Sequence, residues 1–259
     1  FDDRVSGGRW RRKHGASPDR GSRRTAAMNF LPWRVKNFLS EHFPLAYHLA
    51  VNLGSRGNDP KIWDRKLEES WDKMEWPSKV QMIAARIRRD ARIIDIACGS
   101  GSILRSLRQL GYNDLHGLEN STYAFERLAS EGFDMHRGAL SSLPFADASY
   151  DVVIASEILE HVIRRSRFMQ EIRRVLATAG VAFIFVPNNC LGPIDEPAHV
   201  TKYTERTLTQ FLAKFFVVES VEVFKDPNFP ATFLFAYVRN REAAADAQQA
   251  SALARSTMK

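Results

Sequence analysis

A doubly wound α/β sheet with helices on both faces is the architecture expected of this 259-residue chain. Two features carry that expectation. One is the segment "RIIDIACGSG" at Arg92–Gly101, an apolar run that ends in an acid and breaks at glycines. The other is the alternation of strand-like and helical segments through Asn188.

The first strand is Ile93-Ile94 and Ile96, apolar enough to be buried on both faces of a parallel sheet. Asp95 is costly there unless it binds something. Gly99 and Gly101 let backbone approach a ligand closely, and Ser102–Leu110 reads as the following helix, closed by Gly111. Open parallel sheets bind ligands at this end of their strands. A dinucleotide fingerprint is incomplete, because Leu104 stands where the third glycine belongs. An anion at Asp95 also opposes a pyrophosphate and suits a cation, such as the α-ammonium and sulfonium of S-adenosylmethionine. An ordinary strand–turn–helix with a capping Asp is the competing reading of this segment alone.

The second strand, "LHGLE", ends at Glu119, one βα unit on, where an acid grips vicinal ribose hydroxyls. The third lies at Phe133–His136 and leads into "GALSSLPF". The fourth is "YDVVIAS", followed by "EILEHV". A helix "RFMQEIRRVLATAG" precedes the fifth, "VAFIFVPN". "FVVESVEVF" and "TFLFAYV" supply two more strands.

Asp95–Gly101, Glu119, "LPF" at Leu143–Phe145, "YDVV" at Tyr150–Val153 and "EILEHV" at Glu157–Val162 together resemble the class I S-adenosylmethionine-dependent methyltransferases. The resembling group is the methyltransferase type 11 set that includes ubiquinone O-methyltransferases, and the likeness spans roughly 79–238. It implies a Rossmann-like seven-stranded sheet, parallel except for one C-terminal antiparallel strand. It implies S-adenosyl-L-methionine as cofactor, held by Asp95, Ala97, Cys98, Gly99, Gly101, Glu119, Asn120, Leu140, Ser141, Ser156 and Glu157. Two positions depart from the pattern. Ala97 replaces a usual glycine and is tolerated if its φ is negative. Ala139 stands where an acid often reaches the adenine, which leaves the adenine to backbone near Leu140 and to Ser141 or Ser142.

Methyl transfer asks little of the protein beyond positioning, and a base only where an acceptor hydroxyl loses a proton. His161, in "EILEH", and His199, in "PAHVTKYTERTL", are the candidates, with a rate expected to rise through one ionisation near neutral pH. Capping or loop-fixing roles compete for both. His14, His42, His48, His116 and His136 receive no role. In the ubiquinone methyltransferases the residues resembling Glu157, Glu160 and His161 are associated with magnesium; many relatives share "LEHV" without a metal, and none is assigned.

Residues 1–27 carry eight Lys/Arg against three Asp, so most of the net charge of +7 sits there. They lack apolar periodicity and are expected to be disordered, with Met28 the expected true start. Residues 28–78 are expected to form a helical cap, in which Val35, Phe38, Leu39, Ala46, Leu49, Ala50 and Leu53 make one apolar face. Packing on the core and peripheral membrane contact both remain open for that face. Trp63, Trp71 and Trp76 follow, either as helix packing or as an aromatic wall for substrate. Residues 239–259 read as an exposed tail. No apolar run reaches the ~18 residues that span a membrane. The cysteines, Cys98 and Cys190, read as free thiols of a cytoplasmic enzyme.

The function expected is methyl transfer to a small molecule or glycan, at oxygen. An RNA methyltransferase and a non-catalytic cofactor-binding module are the alternatives. Nucleic acid is not expected as a partner, because the near-neutral body and the absence of an N-P-P-Y or Cys-based element oppose it.

Overall fold

A computed structural model describes residues 35, 38–39, 42–43, 60–71, 73, 75–188, 199–229 and 231–241. The expectations for 1–27, for Cys190 and for the tail after residue 241 fall outside these residues. So does most of the expected 29–53 helical pair. Of its described positions, Val35, Phe38 and Phe43 are exposed.

Helices α1 (Pro60–Ser70) and α2 (Pro77–Ala84) precede the sheet. Then follow β1 (Ile93–Ile96), α3 (Ser102–Gln109), β2 (Leu115–Leu118), α4 (Thr122–Ser130), β3 (Asp134–His136) and β4 (Tyr150–Ser156). A single 3₁₀ turn at Leu159–His161 leads to α5 (Arg165–Val175), β5 (Leu176–Pro187), α6 (Glu205–Leu212), β6 (Phe216–Lys225) and β7 (Thr232–Asn240). The seven strands lie in the order β3-β2-β1-β4-β5-β7-β6. β7 runs antiparallel to both its neighbours, and β1 to β5 pair in parallel. This is the expected sheet.

Period-two alternation divides the core. Ile94, Ile96, Val153 and Ala155 face α5 and α6, packing with Phe168, Met169, Ile172 and Leu208. Ile93, Val152, Ile154, Phe183 and Phe185 face α2, α3 and α4, packing with Val80, Ile83, Leu104, Leu107 and Leu128. Each such wholly buried Leu or Phe contributes about 1.5–3 kcal/mol of transfer free energy.

Two boundaries differ from the sequence reading, and "EILEHV" forms one tight turn. The helix expected to reach Gly180 stops at Val175, because Leu176 already pairs with Tyr150 before the ladder resumes at Val181 opposite Val152. The last strand runs past Val238 to Asn240, whose buried amide donates to the Leu176 carbonyl at 3.2 Å.

Candidate active site

The connections of β1 and β4 leave these adjacent strands in opposite directions along the sheet, so a crevice opens at their carboxyl ends. Asp95–Gly101, Glu119 and Ser156–Glu157 all lie on this rim, at the ends of β1, β2 and β4.

The glycine loop is pinned to β2. The amides of Ala97 and Cys98 both donate to the Leu118 carbonyl, at 2.7 and 3.3 Å. Ala97 has φ +58°, against the negative value that would have made its side chain harmless. The turn out of β1 needs the left-handed region here, and Ala occupies it at a cost of about 1–2 kcal/mol. Gly101, at φ +71°, opens α3; a Cβ there would lie 2.4 Å from Leu128 Cδ2. Burial, with Asp95 and Glu119 beside it, pushes the Cys98 thiol well above its usual range and leaves it unreactive.

Glu119 braces the same loop. Its Oε2 accepts from the Gly99 amide at 2.9 Å, and its Oε1 accepts from Asn120 and Ser121, both at 2.8 Å. Two carboxylate oxygens offer about four lone-pair sites, so acceptor capacity remains. Asn120 clasps the end of β3: its amide nitrogen donates to Gly138 O at 2.9 Å and its oxygen accepts from Gly138 N at 3.2 Å. The following turn closes through Ser142 N to Ala139 O. It leaves Leu140 and Ile158 partly buried against the core edge, while the Ser141 carbonyl accepts from Arg167 at 3.1 Å.

Asp95 is buried, and its Oδ1 has no hydrogen-bond partner. Burial raises its pKa to about 8, Lys79 opposes the rise and Glu119 adds to it. A carboxyl group left in this condition is an acceptor waiting for a cation.

Lys79 is the residue the sequence reading missed. It projects from α2 with a wholly buried side chain, and its ammonium donates to Ser156 Oγ and to Glu157 Oε1, each at 3.0 Å. The same ammonium lies 3.3 Å from the centroid of the Trp76 ring. Burial pulls Lys79 down and pushes Glu157 up; their mutual attraction opposes both shifts. Glu157 itself has φ +55°, after Ala97 the second left-handed non-glycine residue on the rim.

Beyond Glu157 the chain turns so that Glu160 and His161 meet His199. The His161 and His199 rings are 4.7 Å apart, and Trp63 of α1 stands edge-on to His161 at 5.6 Å. Neither Glu160 oxygen nor His199 Nδ1 has a hydrogen-bond partner. Burial, then the charges of His161, Lys202 and Lys66, hold His199 down at about 3, so it is neutral at physiological pH. Glu160, His161 and His199 offer ligand atoms within 4.8 Å of one another, while Glu157, grouped with them by sequence, turns to Lys79. Carboxylate and imidazole suit a divalent ion.

Helix α1 lies across this rim. Leu67 Cδ2 would be 3.6 Å from a Cβ on Gly99. Asp64 Oδ1 accepts from Ser121 Oγ at 2.5 Å, and that hydroxyl caps α4 by accepting from Ala124 N at 3.2 Å. Of the three tryptophans, Trp71 and Trp76 are core and only Trp63 faces the histidines.

The donor set fits S-adenosylmethionine: a buried carboxyl group with an unpaired oxygen for its cationic end, a second acid one βα unit on, and a turn with left-handed glycines between them. Residues 94–184 match the model of a methyltransferase domain family. A Mycolicibacterium smegmatis protein named as a probable S-adenosylmethionine-dependent methyltransferase is 29% identical over 147 residues, 51% of this chain and 54% of its own length. The demethylmenaquinone methyltransferase of Chlorobaculum parvum is 30% identical over 108 residues, 41% of this chain and 45% of its own. The chain thus spans about half the length of the curated relatives it matches. The solved structure of a SAM-dependent methyltransferase from Thermotoga maritima superposes with a TM-score of 0.58 at 18% identity, covering 70% of this chain and 99% of that one. Sheet order, rim and family match agree: residues 94–184 match the methyltransferase domain family, on a fold shared with solved S-adenosylmethionine-dependent methyltransferases.

Proposed function

We propose that this protein transfers a methyl group from S-adenosylmethionine to an oxygen atom of a small molecule or glycan. The observation that carries the acceptor side is His199, a buried neutral imidazole facing His161 above the cofactor rim. The Chlorobaculum parvum relative bears the name of a small-molecule acceptor, which supports the acceptor class and says nothing of the acceptor atom.

The cofactor supplies an electrophilic methyl group whose sulfonium departs without acid assistance. Asp95 would accept hydrogen bonds from the amino-acid end, and Glu119 would accept from the two ribose hydroxyls. Asn120 and the backbone around Leu140 and Ser141 border the adenine. Ser156 and Glu157, held by Lys79, close the floor beside β4. His161 or His199, which face each other across a ring contact of 4.7 Å, takes the proton of the acceptor hydroxyl. Trp63 walls the acceptor side and excludes water.

Calorimetry with S-adenosylhomocysteine, followed by labelled-cofactor assays over phenols and sugars, tests the reading. Binding is expected to weaken about ten-fold or more in Glu119→Gln, through lost charge-assisted bonds. Absence of binding by the unaltered protein sinks the cofactor assignment. Binding with label transferred only to RNA replaces the acceptor class.

A further inference from the structure

A second cluster lies outside this crevice. His116 and Asp134 are register partners on the parallel strands β2 and β3, and His136 follows Asp134 by two residues. All three side chains therefore stand on the same face of the sheet, at its β3 edge. His116 is buried; Asp134 and His136 border solvent. Their ligand atoms lie within 4.8 Å of one another.

The contacts of His116 carry the argument. Its Nε2 is 2.6 Å from Asp114 Oδ1 and its Nδ1 is 3.0 Å from Asp134 Oδ2. A neutral imidazole has one N–H and cannot donate to both. With Nε2–H given to Asp114, the Nδ1 lone pair points at a carboxylate, and something positive belongs between them. His136 Nε2 approaches the other oxygen of Asp134 at 3.3 Å. Neither His116 Nδ1 nor His136 Nε2 makes a hydrogen bond of proper geometry. Two buried imidazole nitrogens thus converge on one carboxylate. Their separations of 3.0 and 3.3 Å match the edge of a tetrahedron, about 3.3 Å for metal–ligand bonds of about 2.0 Å. The Asp114 contact is the carboxylate that commonly orients a metal-bound histidine from behind. Arg92 Nε–H also points at His116 Nε2, at 3.4 Å, and competes with the shorter 2.6 Å Asp114 contact for that nitrogen; it packs on the Asp114 side and not between the three ligands.

We propose that His116 Nδ1, Asp134 and His136 Nε2 bind a divalent transition-metal ion, zinc by preference, with water completing the coordination. The site is structural. It ties β3, the short edge strand, to β2 directly beneath the rim, where the Glu119 amide donates to the His136 carbonyl.

The test uses the full chain, stripped with a chelator and titrated with zinc. One bound zinc per chain is expected to be lost in His136→Asn and in Asp134→Asn but retained in His199→Gln, which alters the other cluster. Zinc at 100-fold excess over its Kd should raise the melting temperature by about 5–10 °C in the unaltered chain. Cobalt in its place should give the intense visible absorption of a tetrahedral centre. Circular dichroism checks that each variant is folded. Zinc bound equally by His136→Asn and the unaltered chain overturns the proposal. So does failure to bind zinc, with NMR showing His116 doubly protonated: a proton would then bridge the carboxylates. Loss of zinc in His199→Gln alone moves the metal to the crevice and overturns it equally.

Discussion

The ammonium of Lys79 lies 3.0 Å from Glu157 Oε1, so a cation from α2 and an anion just after β4 share one buried spot. The Lys79 charge also opposes the rise in the Asp95 pKa, so it acts on both acids of the rim.

Lys79→Met is accordingly expected to leave Glu157 and Asp95 without a counter-charge. Breaking a buried pair costs about 3–5 kcal/mol, less here because Glu157 is partly exposed. A lowered melting temperature and at least ten-fold weaker S-adenosylhomocysteine binding should follow. Adding Glu157→Gln should restore part of the stability. A Lys79→Met chain that melts with the unaltered protein would show that the pair contributes nothing net.

Asp95 makes stability depend on pH. Its folded pKa of about 8 lies above the ordinary 3.8, so between these values the folded chain holds a proton that the unfolded chain has lost. Stability from this group is full below about pH 4 and is lost as pH rises through about 8. Asp95→Asn should flatten that limb in pH-dependent melting curves. Affinity of the unaltered protein for the cofactor should rise toward pH 8, as the carboxylate forms. An affinity that falls over this range would remove Asp95 from the cationic end.

Ala97→Gly is expected to stabilise the chain. It relieves a left-handed alanine, a gain offset in part by the greater freedom of glycine when unfolded. A net gain of up to about 1 kcal/mol corresponds to about 2–4 °C in thermal unfolding. A lower melting temperature would mean that the Ala97 methyl packs too well to lose.

His199→Gln should reduce turnover about 10²-fold if His199 takes the acceptor proton, with cofactor affinity unchanged. Because His199 stays neutral down to about 3, its contribution is flat across the neutral range. Any neutral limb in the pH–rate profile should vanish in His161→Gln instead. Near-normal rates in both variants would leave an acceptor that needs no base.

The central strands β1, β2 and β4 were legible because they are mostly apolar runs buried on both faces, and the acids at their ends stand out against that background. Asp95 and Glu119 could be found for this reason. Lys79 could not: in "PSKVQMIA" it looks like any solvated helix lysine, and its burial is decided by Glu157, 78 residues away, and by Trp76 stacking on Phe229. The sign of φ at Ala97 was likewise invisible, since it follows from how the turn meets β2. His116 and His136 carried no local motif, because strand register alone brings them together across Asp134. "EILEHV" has helical composition, yet the chain must turn sharply there for the Glu160 carbonyl to receive the amides of Val200 and Thr201.

The Asp64–Ser121 hydrogen bond has a kinetic consequence. Ser121 is two residues from Glu119 and also caps α4, so the sugar-binding corner and the helix that lies over it share one hydroxyl. If the ribose of the cofactor fills that corner, α1 is expected to be held more firmly, and with it Trp63 beside His161. The expected binding order is then cofactor first, acceptor second. Product-inhibition patterns should show S-adenosylhomocysteine competing with the cofactor alone, and Asp64→Asn should relax that sequence toward random entry.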